Sequence, residues 1–323
     1  MAMPTAEARV LVTMQTEADR FLPEGPQMVT VGDRPVLAWV NIQTAADATR
    51  GAVHLWFWDS GERRRYDLPA RPGFLRPTDR PGVIFVGREK DLGTLDLTTG
   101  EWHTLATIPD LNPRTIINDG TVVPGGDAVV FGTKDLRFAD TIAHLYLFTV
   151  ADRRVTILAD GQTCSNGKVF ARDADGLTLY DIDTPRRVVT RYRFDLTRRT
   201  ATTDGVAIDL REVEGFPDGM ADAGDDTLII AFYNPTRGGT GHARRYDLRT
   251  GRLLEEWTTP GSPRVTCPLL IERDGGVKLV LTTAVEGMPD DQRRESPHAG
   301  DLFMADTRIK AIPAADGLRL SIP

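Results

Sequence analysis

The stretch VIFVGREKDLGTLDLTTGEWHTLA, residues 83–106, carries the fold in miniature. An apolar strand is followed by a second strand, then a tight polar turn, then a third strand. The same order returns at residues 37–68, 129–159, 177–203, 228–257 and 278–312. Each copy carries one kind of turn, written DSGE, TTGE, VADR, LTRR, RTGR and ADTR in chain order. Gly, Asp and Thr dominate these turns, as hairpin connections require. The turns recur roughly every 40–55 residues, a spacing that signals a propeller. About six such units fit the chain. A lone four-stranded sheet cannot bury both faces, whereas sheets packed radially bury one another's. The expectation is an all-β, six-bladed β-propeller with four-stranded antiparallel blades around a central channel, one domain over residues 1–323. WD40 and kelch signatures are absent, and EADRFL near the N-terminus is at best one or two helical turns.

Composition narrows the function. Hydrophobic residues make up 41 % and charged residues 26 % of the 323, which suits a packed soluble core rather than disorder. A net charge of −7 argues against a nucleic-acid partner, which needs a basic face. Charged residues interrupt every apolar run at the N-terminus, so neither a signal peptide nor a membrane span is expected, and the reading is cytoplasmic. The two cysteines, Cys164 and Cys267, are expected as free thiols there. CxxC, HExxH, GxSxG and Walker patterns are all missing.

The polar residues ahead of the first strand of several units are regularly placed. They are Glu24 in FLPEGPQ, Asn118 and Asp119 in IINDGTV, Asn166 in CSNGKVF and Asp218 in FPDGMAD. Each reads locally as a turn, because Asn-Gly and Asp-Gly favour one and Pro217 with Gly219 would set a loop tip. Yet PGGD, DADG and AGDD already close the hairpins that follow, so one turn signal per unit is surplus. Loops entering the inner strands of a propeller converge at one mouth of the channel. Carboxylate and amide oxygens gathered there suit a hard divalent ion.

PEGP, NDG with VFGTK, SNG with LYDIDTPRRVVTRYRFD, FPDGM with YDLRTGRLLEEWTTP, LVLTTAVEGM and HAGDLF stand in an order that resembles the SMP-30/gluconolactonase/regucalcin family of six-bladed propellers. The resemblance implies one divalent metal ion at the channel mouth, calcium first, with zinc, magnesium or manganese as alternatives. It makes Glu24, Asn166 and Asp218 the metal ligands, Asp218 also the catalytic base, and Asn118 a group facing metal or substrate. It implies lactone hydrolysis. The rivals are an esterase or phosphotriesterase for other electrophiles and a calcium-binding propeller without turnover. A small-molecule substrate is the expected partner, with neither nucleic acid nor membrane, and the chain a monomer or small homo-oligomer.

The chain departs from the family where the substrate binds. Ile116 stands two residues before Asn118, where sugar-lactone members carry an arginine; Arg114 lies two residues further back and could substitute. GTK, with Lys134 and Asp135, replaces the family's GTM, and no acid matches near Leu136 and Arg137. This favours a less polar lactone. Tyr233 and Asn234 end an inner strand and are candidates for substrate contact, as is His298 in SPHAG. His54, His103 and His144 read as packing or surface groups.

Overall fold

The computed structural model describes residues 3–173, 176–236, 238–313 and 318–322. Six sheets divide the chain, over residues 23–68, 72–107, 115–162, 165–209, 216–259 and 265–306, in chain order blades 1 to 6. The first strand of each blade lies against the first strands of its two neighbours, which closes a ring around a channel. These innermost strands are Pro23–Val31, Pro72–Pro77, Thr115–Val122, Ser165–Asp173, Phe216–Asp222 and Val265–Arg273. The propeller expected from the sequence is the fold.

Period-two geometry explains why second strands read as unbroken apolar runs. Successive side chains point to opposite faces of a strand, and here each face meets another blade. In blade 1, Val36, Ala38 and Val40 pack toward blade 2, while Leu37 and Trp39 pack toward blade 6. In blade 3, Val129 and Phe131 face blade 2, and Ala128 and Val130 face blade 4. Leu228, Ile230 and Phe232 of blade 5 turn to blade 4, and Ile229 and Ala231 to blade 6. The core is therefore a set of radial seams rather than one central mass.

Closure corrects one detail of the sequence reading. ADTR does not connect a third strand to a fourth: Leu302–Asp306 is the last strand of the C-terminal half of blade 6. Its outer partner is Arg9–Val12, from the N-terminus, paired antiparallel through Val10 and Phe303. Thr5–Glu7 adds parallel to the outer strand of blade 5. Helical structure is limited among the described residues to the turn at Glu17–Arg20, a 3-10 turn at Thr184–Arg186 and Asp290–Glu295, the last not foreseen. Among the described residues no helix is long and apolar enough to cross a membrane. Both cysteines are buried and free.

Candidate functional site

The Asn-Gly and Asp-Gly dipeptides are not turns. They lie inside the innermost strands, where the pairing with the second strand slips. The slip falls between Glu24 and Gln27, Pro72 and Phe74, Ile117 and Gly120, Ser165 and Lys168, Pro217 and Met220, and Val265 and Pro268. Each is a β-bulge, which leaves extra residues unpaired and re-aims their side chains. The first unpaired position is filled in order by Gly25, Gly73, Asn118, Asn166, Asp218 and Thr266, and Glu24 is the last paired residue before the slip in blade 1, opposite Val40. FPDGM is thus a strand with a kink. Gly219 has no positive φ; it is required because a Cβ there would lie 2.6 Å from the Cys267 sulfur and 2.8 Å from its Cα.

Glu24, Asn118, Asn166 and Asp218 all line one cavity of about 540 Å³, together with Tyr233 and Cys164. In the bulges of blades 3 and 6 the next residue, Asp119 or Cys267, faces a separate cavity of about 190 Å³ further down the channel. Hydrogen bonds fix the upper ring. Leu22 N donates to Asn41 Oδ1 at 2.9 Å, and Thr266 Oγ1 donates to Pro23 O at 2.7 Å, on either side of Glu24's strand. Asp183 Oδ1 accepts from the N–H groups of Thr163 and Cys164, which sets the entry to Asn166. Thr184 Oγ1 accepts from Asn166 Nδ2 at 3.1 Å and donates to Pro217 O at 3.0 Å, tying blade 4 to blade 5 beside Asp218. Asn118 Nδ2 donates to Ser165 O at 3.0 Å. With both amide nitrogens committed, the amide oxygens of Asn118 and Asn166 are the ends left for the cavity.

The electrostatics are those of two buried acids held toward their neutral forms. Burial holds the Glu24 carboxyl well above the usual carboxylate range, and the negative charges of Asp218 and Asp119 push it the same way. Burial does the same to Asp218, with Asp119 and Glu286 adding to the shift and Lys134 and Asn166 opposing it. Asp218 Oδ1 is buried without a hydrogen-bond partner among the described residues. No cluster of three His, Cys, Asp or Glu side chains suited to a metal occurs among the described residues. The donor set here is two carboxylates and two amides, all oxygen, which fits a hard divalent cation rather than a thiophilic one.

The structure separates the other candidates. Arg114 is outside the cavity lining: its guanidinium pairs with Asp135 at 2.6 Å and Asp140 at 2.7 Å. Ile116 is buried opposite Lys134 and is not part of the lining either. His298 sits edge-on to Phe303 and near Asp301, away from the cavity. Asn234 donates to Glu214 and does not line it. His54 stacks on Trp39, His144 contacts Asp160 at the surface and His103 is exposed, as expected. Lys134, Glu286 and Arg264 line the cavity without having been assigned there. In the sequence Lys134 stands out only as a departure in GTK. Arg264 and Glu286 come from blade 6, and their approach depends on ring closure, which no local motif reveals.

The ring of bulges, the oxygen donors gathered at or beside four of them and the cavity above define a propeller with a chemical site at its channel mouth. The chain belongs to the SMP-30/gluconolactonase/LRE-like family, whose model matches residues 22–285. An uncharacterised protein of Sulfolobus acidocaldarius is 30 % identical over 288 residues, covering 86 % of this chain and 92 % of that one. L-arabinolactonase of Azospirillum brasilense is 28 % identical, over 86 % of this chain and 87 % of its own. A calcium-binding protein, regucalcin, from Agrobacterium tumefaciens superposes with a TM-score of 0.77 at 25 % identity, covering 97 % of this chain and 99 % of that one.

Proposed function

We propose that this protein opens the ring of a lactone by hydrolysis, with a divalent cation held by Glu24, Asn166 and Asp218 and with Asp218 as general base. The observation that carries the reading is the convergence of Glu24, Asn118, Asn166 and Asp218 on one cavity, with Asp218 Oδ1 unpaired inside it. Lactonases among the relatives support the class of reaction. A bound divalent cation would polarise the acyl carbonyl and stabilise the oxyanion. Asp218 takes the proton of the attacking water as its oxygen bonds the acyl carbon. The acyl–oxygen bond of the ring then breaks, and the proton passes to the departing ring oxygen, leaving an alcohol and a carboxylic acid on one molecule. Burial, which raises the Asp218 carboxyl, also makes its anion a stronger base than an exposed aspartate. Asn118 presents its amide oxygen beside these groups, where it orients substrate or water.

The test is chelator dialysis followed by metal add-back, with lactone hydrolysis followed by pH-stat. Activity should disappear and return with the metal. Asp218→Asn should keep the fold and part of the metal affinity, and lower kcat by roughly 10²–10⁴-fold, the range of a general base. Near-normal turnover of Asp218→Asn with metal bound would make Asp218 a ligand only. Metal binding with no hydrolysis of any lactone would leave a binding protein in place of an enzyme.

A further inference from the structure

Resting on the lactonase reading, we infer that the Lys134 ammonium is the specificity group of the cavity and receives a carboxylate carried by the substrate, so that the substrate is a lactone acid rather than a neutral lactone. Lys134 ends the second strand of blade 3, Ala128–Asp135, and lines the cavity. It is 4 % exposed. Among the described residues Nζ has no carboxylate within 4 Å and no hydrogen-bond acceptor; the Phe138 ring centroid is 5.8 Å away, and the charges it acts on are Asp218 and Glu24 across the cavity. A buried cation with no direct ion pair is costly, and a divalent cation on Glu24 and Asp218 would take over the two charges it now faces, which leaves the ammonium to an anion that arrives.

The other basic groups nearby are already engaged. Arg264 donates to Tyr233 Oη at 3.2 Å, to Gln292 Oε1 at 3.1 Å and to the carbonyl of Glu286. Arg114 is held by Asp135 and Asp140. Lys134 is therefore the cation of the lining whose N–H donors are left for a ligand. A divalent cation would balance Glu24 and Asp218, and the Arg264 guanidinium offsets Glu286, the third carboxylate of the lining, which leaves the Lys134 ammonium for one anion.

Position distinguishes a substituent from the reacting carbonyl. The oxygen donors sit on innermost strands, at or next to the bulges. Lys134 is one strand further out, opposite Ile116 and bridged to Cys164 in blade 4. An anion on Nζ is thus set to the blade 3–blade 4 side of the reacting centre. Leu136, Phe138 and Pro185 line the cavity as apolar groups, and suit the ring carbons of a compact lactone better than a row of hydroxyls.

The experiment compares a γ-butyrolactone bearing a carboxymethyl group with its methyl ester, metal present. Wild type should show kcat/KM at least about tenfold higher for the acid, one ion pair's worth of preference. Lys134→Met should abolish that preference, lowering kcat/KM for the acid more than for the ester and chiefly through KM, and Lys134→Arg should restore part of it. A second readout needs no turnover. The non-hydrolysable ketone cyclopentanone-3-acetate should bind wild type in the presence of the divalent cation by calorimetry, more tightly than cyclopentanone, and Lys134→Met should erase the difference. Equal kcat/KM for acid and ester in wild type, or an equal loss on both in Lys134→Met, overturns the assignment while the lactonase reading stands. If neither lactone turns over but the anionic ketone still binds through Lys134, the lactonase reading falls and the carboxylate site stands. Should Lys134→Met not fold, the wild-type acid-to-ester ratio decides alone.

Discussion

Asp218 and Gly219 are neighbours with opposite tasks, one offering an oxygen to the cavity and the other offering nothing to the next blade. That pairing was half legible. Asp-Gly and Asn-Gly mark both hairpin turns and bulges, so residue types alone placed Glu24, Asn118, Asn166 and Asp218 at one mouth but gave them loop conformations. The requirement for Gly219 comes from Cys267, 48 positions away, and no local pattern announces it. Gly219→Ala must push its new methyl into Cys267 and should cost about 1–3 kcal/mol, as overpacking does. Gly276→Ala, where a Cβ meets nothing within 4 Å, is the control and should be near neutral. Urea melts of the two variants decide; equal midpoints would remove the close approach as the reason for the glycine.

His54 shows burial acting on a residue that was rightly read as packing. Burial pushes its imidazole down to about 4, against the opposing pull of Asp19. In the unfolded chain the group titrates near its ordinary 6.5, so between pH 6.5 and 4 the unfolded state binds a proton that the folded state refuses. Stability therefore falls as pH drops through that window, by up to about 3 kcal/mol. His54→Phe preserves the stack on Trp39 and removes the titration. Its unfolding free energy should lose less between pH 7 and 4 than that of wild type; parallel curves would sink the attribution.

At the scale of elements, alternation in the second strands was readable because both faces of each are apolar, while the segments joining strands were not. Leu136 and Phe138, which line the cavity, belong to the loop after the second strand of blade 3, and Phe138 takes a positive φ of 51°. Asp135 holds this loop, accepting from the N–H groups of Arg137, Ala139 and Asp140. Arg114 pairs with the same carboxylate, and with these donors keeps it well below the usual range despite burial. Arg114 is therefore a brace for one wall rather than a hand on the substrate. Arg114→Ala should raise KM for neutral and polyhydroxylated lactones alike. A loss confined to gluconolactone would return the sugar-binding role to Arg114 and undo this reading of the loop.

Across the whole molecule, the feature hidden from the repeats is how the ring shuts. Six similar units imply six similar ends, but a ring made from one chain needs a place where its termini meet, and that place breaks the pattern. Here the N-terminal residues supply the outer strand of blade 6 and then an edge strand on blade 5, so Ala8 and Val12 are almost fully buried. Ala8 N donates to Thr258 O at 2.8 Å, joining the two blades. Val12 and Met14 pack with Leu37 and Trp39 in the seam between blades 6 and 1. Deleting residues 1–12 should strip Leu302–Asp306 of its partner and uncover that seam. The site lies at the same junction, because Glu24 comes from blade 1 and Arg264 and Glu286 come from blade 6. Truncation should therefore lower the Tm and weaken metal affinity together, and hydrogen exchange should speed up first in Arg34–Asn41 and Leu302–Asp306, with blade 3 protected longer. If the shortened chain kept its Tm and its protection in Arg34–Asn41, the N-terminal strand would be an ornament on a ring that closes without it.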